Sequence, residues 1–112
     1  MEIVWTGLAV DSLSNIVQYV QSWFGVETAS DVSTKILAFV DSLSISPYIG
    51  KRIKNLSQYG DVRCIIYRQN QIYYRLSENQ VEIILVWDGR QDPNRLRMTL
   101  LNFFVHTPSN SY

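Results

Sequence analysis

Apolar positions along this chain change their period, and each change marks a new element. From residue 61 to residue 93 the sequence reads DVRCIIYRQNQIYYRLSENQVEIILVWDGRQDP. Three runs rich in Ile, Val, Tyr and Trp are separated by Gln69-Asn70 and by Ser77-Glu78-Asn79-Gln80. β-Branched and aromatic residues suit a pleated, half-buried surface, and Asn, Ser and Gln suit turns, so the stretch predicts three consecutive antiparallel strands. Gly89 then releases the chain from the sheet. Strict period two puts Val62, Cys64 and Ile66 on one side and Arg63, Ile65 and Tyr67 on the other. Likewise Ile72, Tyr74 and Leu76 oppose Tyr73 and Arg75, and Val81, Ile83, Leu85 and Trp87 oppose Glu82, Ile84, Val86 and Asp88. One face is nearly all apolar and is expected to meet helices. The other, bearing Arg63, Tyr67, Tyr73, Arg75 and Glu82, is expected to stay open to a partner.

Upstream, Ile3 and Trp5 oppose Val4 in a short strand, and Thr6 suits a helix N-cap. Val10, Leu13, Val17, Val20 and Phe24 recur at steps of three and four, with Ile16 widening the stripe, which predicts a helix ending at Gly25. Trp23 and Phe24 are expected at or near the core. A second helix is expected from about Thr28, where Thr28 and Asp31 approximate a capping box, with Ala29, Val32, Ile36, Val40 and Leu43 as its stripe and Phe39 beside it. It stops before Ser46-Pro47, because proline disfavours helix in the residue before it. A link of three or four residues makes the two helices an antiparallel hairpin. Lys51 to Gln58 reads as either an irregular strand or a basic loop anchored by Ile53 and Leu56. Beyond Pro93, Leu96, Leu100 and Phe103 or Phe104 predict a terminal helix with Arg95 and Arg97 outside its stripe. That helix either closes the core or presents a docking patch, with core closure the favoured reading.

The expected fold is α+β: an N-terminal strand, a helical hairpin on a curved, mainly antiparallel sheet, and a short C-terminal helix. Residues 1–105 form one domain and 106–112 a flexible tail.

With 112 residues, 46% of them hydrophobic, the chain can build one core. No apolar run is long enough to span a bilayer, and the opening residues lack a signal-peptide pattern. Cys64 is the single cysteine, which excludes an internal disulfide and fits a cytoplasmic protein. The net charge of zero hides a division: residues 1–48 set five carboxylates against Lys35, a net −4, while residues 49–112 carry nine Lys and Arg against five carboxylates, a net +4. The basic half suits an acidic protein segment or a phosphate backbone, although a solvated basic face is the simpler reading. One His and one Cys far apart make no metal site, and scattered glycines make no phosphate loop, so no cofactor is expected. Cys64 with His106 has the composition of a Cys–His dyad, but a strand cysteine is more often plain core.

Four segments in order carry a family resemblance: EIVWTGLAVDSLSNIVQYV, FVDSLSISPYIGK, VRCIIYRQNQIYYRL and VEIILVWDGRQDP. Together they resemble the RelE/ParE superfamily of toxins from bacterial toxin–antitoxin systems. The resemblance implies a cognate antitoxin as partner. In the RelE branch, basic and Tyr or His side chains of the sheet cleave mRNA in the ribosome; in the ParE branch the scaffold lacks that set and poisons DNA gyrase. Arg63 and Arg90 match family arginines, and Tyr74-Arg75 matches the family's Tyr-Arg pair, with Tyr74 expected to pack. Gln71 stands where nuclease members usually carry Arg, and Asp88 where many carry His. Neither His106 nor Tyr112 clearly supplies the tail's catalytic residue.

RNA cleavage by 2′-hydroxyl attack needs a base, an acid and a cation near the phosphorane. Arg63, Arg90, Lys51, Lys54 and Arg52 offer cations, but no group titrating near neutrality stands in the expected place. The leading expectation is therefore a ParE-like toxin that binds a protein target such as gyrase through Arg63, Tyr67, Tyr73, Arg75, Arg90, Leu96 and Leu100, and that is not an enzyme. The alternatives are a ribosome-dependent mRNA endonuclease and a degenerate, non-toxic binding module.

Overall fold

A computed structural model of the chain describes residues 1–106. Strand β1 (Glu2–Trp5) leads into helix α1 (Gly7–Phe24) and helix α2 (Val26–Asp41). A two-residue strand β2 (Lys51–Arg52) and a 3-10 helix (Lys54–Tyr59) precede the meander β3 (Asp61–Tyr67), β4 (Asn70–Leu76) and β5 (Gln80–Asp88). Helix α3 (Pro93–His106) follows. The five strands lie in the order β1-β5-β4-β3-β2, with β1 parallel to β5 and the other pairs antiparallel. The expected meander, opening strand, hairpin and terminal helix are all present. Lys51 to Gln58 resolves into both a short strand and a helical turn, with Leu56 buried and Ile53 partly so. The expected tail lies outside the described residues except for His106, which is the last residue of α3.

Thr6 caps α1 as its residue type predicts. Its hydroxyl accepts from the Ala9 amide at 3.1 Å and donates to the carbonyl of Ile83 at 2.9 Å, which ties the helix start to the sheet. Where β1 ends, the outer edge of β5 would be left bare. Ser12 of α1 covers it, its Oγ accepting from the Val86 amide at 3.0 Å. Buried backbone donors demand such partners.

The link between the helices is one residue, not three or four. Gly25, with φ 93° and ψ 171°, is both the end of α1 and the cap of α2. That φ is open to glycine and strained for other residues, so the turn fits into a single position. Thr28 and Asp31 therefore lie inside α2 and form no capping box. Trp23 and Phe24, at the end of α1, are exposed, at 71% and 67%, contrary to their expected burial. The side of α1 that faces the sheet carries Ala9, Leu13 and Ile16; Ala29, Val32, Ile36 and Val40 of α2 pack inward as expected, and Leu43 is buried in the 3-10 turn Ser42–Ser44 that follows α2. Val10, at the head of the predicted stripe, is exposed.

Strict alternation also fails in β5. Tyr73 pairs with Leu85 and Tyr74 with Ile83, so Ile84 is an extra residue and the strand bulges. The bulge inverts the phase of everything after it. Val81, Ile83 and Val86 face the hairpin, and Ile84, Leu85 and Trp87 face the other side. The second face is consequently not open. Helix α3 and the 3-10 helix cover it with Leu100, Phe104 and Leu56. The terminal helix closes a second core, as its apolar stripe favoured.

Tyr74 is fully buried on the hairpin side, where its hydroxyl donates to Pro47 O at 2.8 Å and accepts from the Gly50 amide at 2.9 Å. The ring fills the space where a side chain on Gly50 would sit, with Cε1 2.8 Å and Cζ 2.9 Å from the position of its Cβ. Gly50→Ala is expected to destabilise the protein by ~1–3 kcal/mol through this overlap, read as a lower urea midpoint at unchanged m-value.

Candidate functional site

The residues expected to share one open face are divided by the sheet. Arg63 and Tyr67 lie on the hairpin side, paired in register with Tyr74 and Asn70, while Tyr73, Arg75 and Glu82 lie on the α3 side. Each arginine is held by neighbours.

Arg63 is used inside the fold. Its Nε donates to Asp61 Oδ1 at 3.0 Å and its Nη2 to Asp61 Oδ2 at 3.3 Å, while Nη1 donates to the carbonyls of Tyr48 and Gly50 at 3.1 and 2.9 Å. The guanidinium also lies 5.3 Å from the Tyr48 ring centre. Arg63 and Tyr74 thus fix the 47–50 turn together. Arg52 shares Asp61 at 3.3 Å, whereas Lys51 and Lys54 are exposed on the sheet edge and the following turn.

Arg75 is buried beneath α3. Its Nε donates to Glu82 Oε1 at 2.7 Å, Nη1 to Tyr59 O at 3.0 Å, and its guanidinium lies 5.3 Å from the Phe104 ring centre. Beside it, Tyr73 donates its hydroxyl to Gln71 Oε1 at 2.7 Å. Gln71 therefore serves as the acceptor that a buried tyrosine requires. Burial pushes the Tyr73 hydroxyl and the Cys64 thiol up from their ordinary pKa values, so both are neutral at physiological pH. The Cys64 thiol donates to Ile65 O at 3.6 Å, and His106 contacts Asn102 O through Nδ1 at the exposed end of α3. A protonated, partly buried thiol is the reverse of an activated nucleophile.

Arg90 stands apart. It lies at the rim of a cleft of about 700 Å³ between α1, the end of β5 and the start of α3, lined among others by Asp11, Asn15, Tyr19, Gln91 and Arg95. Arg90 chelates Asp88, with Nε to Oδ1 at 3.1 Å and Nη2 to Oδ2 at 2.8 Å, and its own amide donates to Oδ1 at 2.9 Å. These bonds from Arg90 hold the Asp88 carboxyl below its ordinary value, and the same pairing raises that of Arg90. Asp88 is a committed anion rather than a proton acceptor poised for catalysis. Of the expected partner residues, Arg90 and, in part, Tyr67 and Leu96 reach the surface, while Tyr73, Arg75 and Leu100 belong to the core. Tyr67 packs on Phe39 with ring centres 4.7 Å apart.

The cleft itself was not read from the sequence, since it forms where three distant segments meet. The pairing of the arginines did leave a signal: Asp61-Val62-Arg63 and Asp88-Gly89-Arg90 both set a carboxylate two residues before the arginine. In β3 that spacing returns to the same face, whereas Gly89-Arg90 is a turn past the end of β5 that folds Arg90 back on Asp88. Among the described residues no group of three or more His, Cys, Asp or Glu is arranged to hold a metal, and no helix is long and apolar enough to cross a membrane.

A parallel N-terminal strand, a helical hairpin on one face and a meander bearing internally paired arginines define a small α+β scaffold. A family model described as the ParE toxin of the type II toxin–antitoxin system parDE matches residues 3–93, and the chain belongs to that family. Its fold is similar to a solved chain from the "Chromosomal ParDE TA system from P. aeruginosa", with a TM-score of 0.64 and 21% identity, covering 77% of this chain and 92% of that one. No curated protein sequence matches the chain.

Two measurements test the site. Arg75→Ala, which leaves Glu82 without its partner under α3, is expected to cost ~3–5 kcal/mol in urea unfolding, the loss typical of breaking a buried pair from one side. The Asp88–Arg90 pair makes a smaller, pH-dependent contribution. Because the folded-state pKa of Asp88 is depressed, its stabilisation is present above the ordinary value of 3.8 and is lost as pH falls through the folded value. Carboxyl-carbon NMR titration is expected to find Asp88 below 3.8 in the parent chain and moved upward in Arg90→Ala.

Proposed function

We propose that the chain is a growth-inhibiting toxin of the cytoplasm that acts by binding a protein target, DNA gyrase, and that a cognate antitoxin neutralises it. One observation carries the choice over RNA cleavage. The arginines that a nuclease would turn toward phosphate are engaged by carboxylates, Arg63 by Asp61, Arg75 by Glu82 and Arg90 by Asp88. Beside them, among the described residues, stands no histidine; His106 is at the far end of α3. Transition-state stabilisation of a phosphorane needs positive charge aimed at the developing oxyanions, together with proton transfer. Ion-paired arginines, a neutral, buried Tyr73 and a neutral, partly buried Cys64 supply neither. Family membership supports the antitoxin as partner, and the accessible members of the expected contact set, Arg90, Tyr67 and Leu96, are the proposed points of contact with it.

Expression induced without antitoxin is expected to stop DNA synthesis while bulk mRNA stays intact, and the purified chain is expected to inhibit supercoiling by purified gyrase. Rapid codon-specific mRNA cleavage would instead make the protein a ribosome-dependent endonuclease. Undisturbed growth at high expression would make it a non-toxic binding module.

A further inference from the structure

We infer that the outward face of α3 is a docking surface for an acidic, amphipathic helical segment of a partner protein. The helix begins at Pro93, the last residue of the family match, so nearly all of it lies beyond the matched residues. Its inner face is firmly seated. Leu100 and Phe104 are buried, the Phe104 ring stacks on Tyr59 with centres 4.8 Å apart and planes 8° from parallel, and Arg75 lies against its face.

The opposite face is apolar as well. Met98, Leu101 and Val105 are 72%, 44% and 65% exposed. Steps of three and four put them on one stripe. A helix whose work ended with closing the core would carry polar residues there, since exposed apolar stripes favour association. Charge frames the stripe. Pro93–His106 contains Arg95 and Arg97 and no carboxylate. Among the described residues neither arginine has an ion-pair partner. Of the nearby carboxylates, Asp88 holds Arg90 and Asp92 accepts from the Asn94 amide at 2.9 Å, while Asp11 lines the cleft with Arg95 without forming an ion pair to it. Arg97 donates instead to Asn94 Oδ1 within the helix.

An apolar stripe at helical spacing fits the apolar face of another helix, and two uncompensated arginines select acidic flanks on it. A nucleic acid would be held by outward aromatic rings for base stacking, but Phe103 and Phe104 are turned inward. The same inward turn removes the aromatic anchors of an interfacial membrane helix. Packing α3 on α3 of a second copy would bring like charges together. The inference stands independently of whether gyrase is the target.

The test uses the full ¹⁵N-labelled chain and a synthetic helical peptide with a Leu stripe flanked by Glu. Its counterpart has Lys in place of Glu, and vesicles containing phosphatidylserine form a third arm. Amide shifts on titration with the Glu peptide are expected at Arg97, Met98, Leu101 and Val105. Leu101→Asp and the double variant Arg95→Glu/Arg97→Glu are each expected to weaken Glu-peptide binding by roughly tenfold or more, the effect of losing one strong contact. The charge-reversed variant is expected to prefer the Lys peptide. Thermal unfolding should be unchanged in both variants, because the altered side chains are exposed. Equal binding of the two peptides, shifts centred on the hairpin tip at Tyr19 and Trp23, preferential binding to vesicles, or self-association of the chain would each overturn the inference.

Discussion

The extra residue in β5 is the constraint on which the rest of the structure depends. A strand that alternates strictly gives one set of side chains to each face throughout its length. By inserting Ile84 between the partners of Tyr73 and Tyr74, the chain changes phase in mid-strand. The strand thereby supplies Ile83 and Val86 to the core under the hairpin and Ile84, Leu85 and Trp87 to the core under α3. Five consecutive apolar residues, Ile83 to Trp87, are buried as a result. Two layers of helix on one small sheet follow from that demand. Bulges also strengthen local twist. After the bulge, Asp88 falls in register with Asn70 at the cleft, within reach of Arg90.

The arginines of the sheet behave as fasteners. Arg63 joins β3 to the 47–50 turn, Arg75 joins β4 to β5 and to the residue before Gly60, and Arg90 closes the exit from β5. A guanidinium offers five donors in a fixed fork, so it suits places where several carbonyls and a carboxylate converge. Used this way, a basic half-chain projects less free charge than its composition suggests. Among the described residues, charge that stays outward without an ion pair is on Lys51, Lys54, Arg68 and α3, whose Arg95 lines the cleft.

Much of the architecture was legible from residue types at local spacing. The opening strand, the Thr6 cap, the second-helix stripe, the meander and the inward stripe of α3 all rest on contacts within a few residues, where period and turn chemistry speak directly. The candidate site was less legible. Period two sorted faces within each strand but not between strands: the β3–β4 register pairs Arg63 with Tyr74 and Val62 with Arg75, which puts Arg63 and Tyr67 on the hairpin side and Tyr73 and Arg75 under α3. Trp23 and Phe24 looked like core because their helical spacing matched, yet spacing does not reveal whether other segments cover that end of the helix.

By itself, then, the sequence determined the order and kind of the elements, the stop at Gly25, and the scarcity of neutral-pH proton carriers in a chain with one His and one Cys. Only the tertiary structure decided which face each strand residue takes after Ile84, which arginines are spent on the fold, and where the cleft opens. The physical reason is range. Propensity, capping and periodicity are set by neighbours along the chain, whereas a bulge, a buried ion pair or a cleft exists only between segments that meet after folding, such as Ser12 with Val86 or Arg75 with Phe104.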